Sequence, residues 1–251
     1  MGNKLKNDLS PRIIAVLQLF DGRLVKTTQF KNQTYIGDPI NAVRIFNEKK
    51  VDELIIIDIT PKRHISGINT KALQDIFSEC EMPVSYGGGI KCYEIAEKIF
   101  NMGCEKLIFN TSFFDDKEKI SQIVRYFGSQ SVAISIDYKY SWFGKPLFYK
   151  NSGREVATKN ISKLIDDFKR INAGELILHC IENDGTLIGY DTKIIKHFNK
   201  KIDVPIILLG GCGAQTRSSN LIELGVHSLA ASSRFIFHGQ HKAVLIQYDR
   251  F

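Results

Sequence analysis

Short apolar runs recur along the chain at wide, regular spacing, with helical periodicity between them. The runs are Ile13–Leu19, Leu54–Ile59, Val84–Tyr86, Lys106–Asn110, Val132–Asp137, Leu176–His179, Ile206–Leu209 and Leu229–Ala231. They are too short and too continuously apolar to alternate between a wet and a dry face, which is how strands covered on both faces read. Helix patterns occupy Asn41–Lys49, Thr70–Ser78, Cys92–Met102, Lys117–Phe127, Asn160–Asn172, Lys193–Lys200 and Ser218–Leu224. This alternation predicts right-handed βαβ units and a parallel sheet. Eight units within 251 residues predict an α/β fold of the closed (β/α)8 barrel class, one domain over 1–251. Beyond Gly239 a short final helix is expected.

The pattern also repeats itself at an offset of 122 residues. Met82-Pro-Val-Ser-Tyr-Gly-Gly-Gly89 aligns with Val204-Pro-Ile-Ile-Leu-Leu-Gly-Gly211, Gly103 with Gly225, and Asn110-Thr111 with Ser232-Ser233. The first strand, ending near Gln18, matches the fifth, ending at Asp137, at a similar offset. Two homologous half-barrels, roughly 12–128 and 129–240, with two equivalent sites would leave this trace.

Composition narrows the class. Hydrophobic residues at 43% and charged residues at 24% are ordinary globular usage, which excludes disordered and fibrous chains. Runs such as Leu54–Ile57 and Pro205–Leu209 fall far short of the ~20 apolar residues that span a bilayer. Met1–Pro11 is polar and lacks the apolar core of a signal peptide. Cys80, Cys92, Cys104, Cys180 and Cys212 stand singly, without a disulfide framework or C-x-x-C pair, so a reduced, cytoplasmic setting is expected. The net charge of +7 comes from dispersed lysines, which suits anionic small molecules as well as nucleic acid.

Candidate chemistry gathers at strand ends. Gly87-Gly88-Gly89 and Gly210-Gly211-Cys212-Gly213 each follow a strand and precede a helix. Glycines there let backbone N–H groups approach and cradle a phosphate, although a ligand-free tight turn needs the same residues. Each loop is paired with small donors, Asn110-Thr111 or Ser232-Ser233, and Asp184-Gly185-Thr186 completes the second set. Two such sites on one face imply a bisphosphate ligand.

Asp137 ends the apolar run Val132–Ile136, where a barrel points catalytic groups into its mouth. Asp58 is a similar candidate or a structural residue inside the barrel. Asp21-Gly22 reads as a turn into a mobile loop carrying Arg23 and Lys26, able to close over an anion. At the opposite strand ends lie Arg12, Glu53, Lys106 and Glu175, which pair into a plug or stay exposed; spacing alone favours exposure. The histidines, His64, His179, His197, His227, His238 and His241, show no metal-ligand spacing, so neither metal nor cofactor is expected. Trp142 follows the fifth strand as a lid residue or plain surface.

Taken together these segments resemble the cyclase subunit of imidazole glycerol phosphate synthase, the HisF-type family of the histidine pathway. The resemblance runs from Arg12 to Phe237. It is carried by Arg12-Ile-Ile-Ala-Val-Leu, Asp21-Gly-Arg-Leu-Val-Lys26, Gly37-Asp-Pro39, Asp52-Glu-Leu, Asp58-Ile-Thr60, Gly87-Gly-Gly-Ile90 and Asn110-Thr111. It continues through Phe127-Gly-Ser-Gln130, Ile136-Asp137, Asp184-Gly-Thr186, Gly189-Tyr-Asp191 and Gly210-Gly211. The resemblance implies a lyase-type barrel that takes ammonia from a docked glutaminase subunit (HisH-like) in a heterodimer and passes it to a bisphosphate at the mouth. It implies that Gly88, Gly89, Asn110 and Thr111 hold one phosphate. Asp184, Gly185, Thr186, Gly210, Gly211, Ser232 and Ser233 would hold the other. Arg12, Glu53, Lys106 and Glu175 match the family's charged gate for ammonia, Lys26 its substrate-closing loop lysine, and Asp137 one of two catalytic aspartates. A phosphorylated ligand and a docking face then account for the basic surplus better than nucleic acid or a membrane does.

The second catalytic position departs from the family. Ala15-Val-Leu-Gln18 carries glutamine where the family has aspartate, and an amide cannot exchange a proton at neutral pH. His179 and Leu209 stand where small hydroxyl residues are usual. This combination resembles a paralogue class found beside sugar amidotransferases in surface-polysaccharide loci. Ammonia supply to sugar amidation is therefore the leading expectation. A genuine histidine-pathway cyclase and a non-catalytic ammonia scaffold are the alternatives.

Overall fold

The computed structural model describes residues 11–61, 67–213, 215–216, 219–239 and 241–250. Met1–Ser10, His64 and Ser218 lie outside the described residues. The eight predicted strands are present as β1 (Arg12–Phe20), β2 (Glu53–Asp58), β3 (Val84–Gly87), β4 (Lys106–Phe109), β5 (Val132–Tyr140), β6 (Glu175–Cys180), β7 (Ile206–Leu209) and β8 (Ser228–Ala231). Each pairs in parallel with the next, and β8 pairs with β1, so the barrel closes. Between them lie α1 (Pro39–Glu48), α2 (Thr70–Glu79), α3 (Tyr93–Asn101), α4 (Lys117–Phe127), α5 (Ile161–Ile171), α6 (Ile195–Phe198) and α7 (Ser219–Ile222). Asp38, Asn69, Asp116 and Asn160 cap α1, α2, α4 and α5 by accepting backbone N–H bonds.

Strand alternation sorts side chains into two cores. Ile13, Ala15, Leu17 and Leu19 of β1 pack outward under the helices, while Ile14 and Val16 point into the barrel with Ile55, Ile108, Ala133, Ile177, Ile207 and Leu209. By the same parity Gln18, Asp137 and His179 face inward at the mouth. Asp58 shares the outward parity of Leu54 and Ile56, and its carboxylate accepts from the backbone N–H of Thr60 at 2.9 Å. It is thus a loop-capping residue outside the barrel interior.

Three features differ from expectation. The Asp21-Gly22 turn opens an antiparallel hairpin, Arg23–Thr28 with Lys31–Gly37, in place of a loop. After β5 a second hairpin, Pro146–Lys150 with Glu155–Thr158, occupies what periodicity left unassigned. Trp142 lies in the β5-to-hairpin turn, 97% exposed, and is surface. Beyond Gly239 there is no helix among the described residues. Phe237–His238 pairs with Ala243–Val244, and the tail then runs without regular secondary structure among the described residues, held by Arg234 to Asp249 and by Arg250 to Asp52.

The 122-residue offset reappears in packing. A Cβ on Gly88 would lie 2.5 Å from the carbonyl oxygen of Asp58, and one on Gly210 would lie 2.6 Å from that of Cys180. Asn110 (φ −123°, ψ −77°) and Ser232 (φ −121°, ψ −71°) open short helical turns, Thr111–Asp115 and Ser233–Ile236, with nearly the same backbone.

Candidate functional site

At the N-terminal end of the barrel, the inward positions carry charge. Arg12 reaches Glu53 at 2.8 Å and Glu175 at 2.7 Å, and Lys106 lies 2.7 Å from Glu175 and 3.7 Å from Glu53. Ser85 donates to Glu53 at 3.0 Å, and the Arg12 Nε donates to Ser228 at 3.2 Å. The four residues form a closed alternating ring, contrary to the exposed placement that spacing favoured. Their strands all begin at this end, and each side chain has the inward parity. Both carboxylates are buried, so each needs the cation on either side of it. Above the ring the barrel interior is filled by the inner apolar cluster.

At the opposite end, Asp137 is buried. Ser135 donates to its Oδ1 at 3.3 Å, and His179 Nδ1 lies 3.5 Å from the same oxygen. His179 Nε2 lies 3.6 Å from Asp184, whose two oxygens are each 3.1 Å from the Lys26 ammonium. Burial alone would lower the His179 pKa, but the Asp137 and Asp184 carboxylates facing its two ring nitrogens outweigh it and raise it to about 9. Burial would raise the Asp184 pKa, yet Lys26 and His179 hold it below the usual carboxylate value. For Lys26 burial prevails over its Asp184 partner, and the pKa is lowered.

Lys26 is therefore no free loop residue. It lies on the first hairpin, fully buried, its ammonium also donating to Thr27 O at 2.6 Å. Gln18 Oε1 accepts from Thr27 N at 2.8 Å and from Thr27 Oγ1 at 3.1 Å. The backbone donor fixes the orientation of the amide, because only its oxygen can accept. Farther along, Gln29 N donates to Asp184 O and Gln29 Nε2 to Glu182 O, while the Phe30 ring meets His179 edge-on at 4.8 Å. The hairpin thus covers the mouth.

Of the phosphate candidates, Asp184, Gly185, Gly210, Gly211, Ser232 and Ser233 line one pocket with about 230 Å³ of empty space, its mouth included. Ser232 and Ser233 carry buried hydroxyls without a hydrogen-bond partner, a state that invites a polar ligand. Leu209 also lines this pocket, supplying apolar bulk where a donor would serve an anion. Thr186 instead donates its hydroxyl to Asn183 O at 2.7 Å. In the other set, Gly88 (φ +132°) and Gly89 (φ +66°) follow β3 in backbone that favours glycine. Asn110 donates to Ser135 O and Tyr149 O, and Thr111 Oγ1 accepts from Asn151 N, so both side chains serve the second hairpin.

Periodicity did not reveal the second hairpin or the contacts that hold the strand it pairs with. Tyr138 and Tyr140 both donate to Asp191 Oδ2, at 3.0 and 2.6 Å, anchoring the end of β5 to the loop after β6. The signal available was the left-handed Asn151-Ser152-Gly153 turn between two β-favouring stretches. Among the described residues no group of three or more His, Cys, Asp or Glu side chains is placed to hold a metal, and no helix is long and apolar enough to cross a membrane.

Comparison with known proteins places the chain in a family. Residues 12–242 match the family described as histidine biosynthesis protein. A Leptospira borgpetersenii protein provisionally named imidazole glycerol phosphate synthase subunit HisF is 42% identical over 242 residues, covering 96% of this chain and 95% of that one. A Pseudomonas aeruginosa protein, provisionally named as subunit hisF2, is 42% identical over 239 residues, covering 94% and 95%. The Thermococcus gammatolerans protein named imidazole glycerol phosphate synthase subunit HisF, without that proviso, is 32% identical over 231 residues, covering 92% and 90%. The chain belongs to the histidine biosynthesis protein family, and within it resembles HisF-type subunits.

Proposed function

We propose that this chain is the synthase subunit of a glutamine amidotransferase assembly. A HisH-like glutaminase docks on the N-terminal face in a heterodimer and releases ammonia at the Arg12–Glu53–Lys106–Glu175 ring. Ammonia crosses the apolar lumen and reaches a phosphorylated substrate at the mouth. The observation that carries this reading is the closed ring beneath an apolar interior, with Asp137 at the far end of the same lumen. A neutral small molecule passes an apolar lumen more readily than an ion does, because an ion would have to shed its hydration there.

In this reading Asp137 is the acid/base group, and Asp184, Gly185, Gly210, Gly211, Ser232 and Ser233 bind phosphate, with Gly88, Gly89, Asn110 and Thr111 as the second cradle. The equivalences between Gly88 and Gly210 and between Asn110 and Ser232 support two half-barrels, 12–128 and 129–240. Gln18 favours a substrate other than the histidine-pathway nucleotide, and we assign the ammonia to sugar amidation for surface polysaccharide, delivered with a sugar amidotransferase. The second reading, a histidine-pathway cyclase, is favoured by the retained Asp137 and by similarity to the Thermococcus subunit.

The deciding experiment co-purifies the chain with a glutaminase-like subunit. It assays glutamine-dependent and ammonium-dependent turnover of the histidine-pathway bisphosphate nucleotide. The leading reading expects a stable heterodimer and little turnover of that nucleotide. Turnover at ordinary enzyme rates, ~1–10³ s⁻¹, establishes the second reading instead. Failure of any glutaminase-like protein to bind removes both.

A further inference from the structure

A single line of polar contacts joins Gln18, near the end of β1, to Asp137, near the end of β5. It runs by hydrogen bonds from Gln18 to Thr27, to Lys26 and to Asp184, then by charge across 3.6 Å to His179 and 3.5 Å to Asp137. Its middle members lie on the first hairpin and on the loop after β6, so the line exists only while the hairpin is down. His179 is its centre. One ring nitrogen faces each carboxylate, and the Phe30 ring closes the imidazole off from above.

We propose that His179 is a positioning residue that makes closure of the first hairpin and the holding of Asp137 one event. Its imidazolium neutralises Asp137 on one side and Asp184 on the other. Asp184 in turn holds the Lys26 ammonium, and its backbone carbonyl accepts from Gln29 N at the hairpin tip. Removing the proton from His179 leaves Asp137 and Asp184 facing an uncharged ring in a buried site, which raises the free energy of the closed state. This inference concerns the same mouth and rests on the proposed function only in taking Asp137 as its acid/base group.

The direction of the pH dependence follows from the surroundings. Asp137 faces the ring from β5 and Asp184 from the β6 loop. Lys26 stands behind Asp184, with Lys242 acting on Lys26 from the tail, while β7 presents Gly210 and Leu209. The folded-state pKa is raised to about 9, so the contribution to closure is full below the ordinary imidazole value. It is lost as the pH climbs through about 9.

Two measurements on the full chain test this without any turnover assay. Imidazole NMR of the wild type should place His179 well above the ordinary histidine range, and Asp137→Asn and Asp184→Asn should each bring it down. Hydrogen exchange at Thr27 and Gln29, corrected for intrinsic rate, should be slow at neutral pH. It should speed up about tenfold for each pKa unit of coupling lost, either above pH 9 in the wild type or at neutral pH in His179→Gln. If His179→Gln does not fold, the wild-type pH series decides alone. A purely structural histidine lowers global urea stability while hairpin exchange stays independent of pH, and that result overturns the proposal. So does titration of His179 in the ordinary range. An inactive enzyme with the expected titration and exchange would instead count against the proposed function alone.

Discussion

Gln18 and Asp137 hold equivalent places in the barrel, Gln18 in register with Ile57 on β2 and Asp137 in register with His179 on β6. One half of the mouth therefore carries an amide against an aliphatic side chain, and the other a carboxylate against an imidazole. Of these two pairs only the second contains ionisable side chains. If position 18 once carried the missing acid, Gln18→Asp should raise turnover of the histidine-pathway nucleotide by a sizeable part of the ~10²–10⁴ expected of a general acid/base group. Asp137→Asn should abolish it. Steady-state rates for the two variants beside the wild type check this, and an unchanged rate in Gln18→Asp would show that position 18 takes no part.

The ring at the other end makes a different prediction. Glu175 takes Arg12 at 2.7 Å and Lys106 at 2.7 Å, so Glu175→Gln leaves two partly buried cations sharing one carboxylate. Because Glu53 still faces both cations, the expected loss is roughly 1–3 kcal/mol of unfolding free energy, read by urea denaturation. Lys106→Ala is milder for folding, because Arg12 still partners both carboxylates. It should cut glutamine-dependent turnover much more than ammonium-dependent turnover. Equal losses in the two assays would show that the ring does not sit on the ammonia route.

Barrel, strand order and inward-facing residues were legible because two-sided burial writes itself as short apolar runs. The ring was not legible from spacing: Arg12, Glu53, Lys106 and Glu175 each start a strand, and only closure of the barrel brings them within 4 Å of one another. Family resemblance identified it where periodicity did not. The first hairpin escaped because Lys31–Thr34 is polar throughout and its pattern matches that of a solvated loop. Lys26 became buried for a reason no local pattern carries, namely the Asp184 carboxylate 158 positions away.

Acid should release the hairpin as alkali does, through a different group. The Asp184 pKa is held below the usual carboxylate value by Lys26 and His179, although burial opposes them. Its contribution to closure is therefore complete above the ordinary carboxylate range and disappears as the pH falls through the lowered value. Limited proteolysis between Arg23 and Gly37 should stay slow down to the carboxylate range and then accelerate. Asp184→Asn should be cleaved readily at every pH. Acid-resistant closure in Asp184→Asn would show that Lys26 is held by other contacts.

Leu209 tests how the altered pocket limits ligands. It belongs to the inner apolar cluster and also lines the pocket of Ser232 and Ser233. Leu209→Ser removes buried methyl groups at a cost of roughly 2–5 kcal/mol, by analogy with Leu→Ala substitutions. It also adds a hydroxyl beside two that already lack partners. Calorimetry with inorganic phosphate should show tighter binding to the variant than to the wild type, despite its lower melting temperature. Weaker binding would mean that Leu209 shapes the pocket correctly as it stands.

Gly88 and Gly210 offer the most direct test that the two halves are built alike. Each has positive φ, +132° and +98°, and each would drive a Cβ to within 2.5–2.6 Å of a carbonyl oxygen, on Asp58 or on Cys180. An added methyl must therefore push β2 or β6 aside and also hold an unfavourable backbone conformation. The two contributions, overpacking and backbone strain, are each roughly 1–3 kcal/mol. Gly88→Ala and Gly210→Ala should then lose stability to a similar extent in urea. They should differ in ligand response: Gly210→Ala also narrows the pocket of Ser232 and Ser233, so it should weaken phosphate binding while Gly88→Ala leaves that pocket intact. A large stability difference between the two variants would show that the equal spacing hides unequal packing.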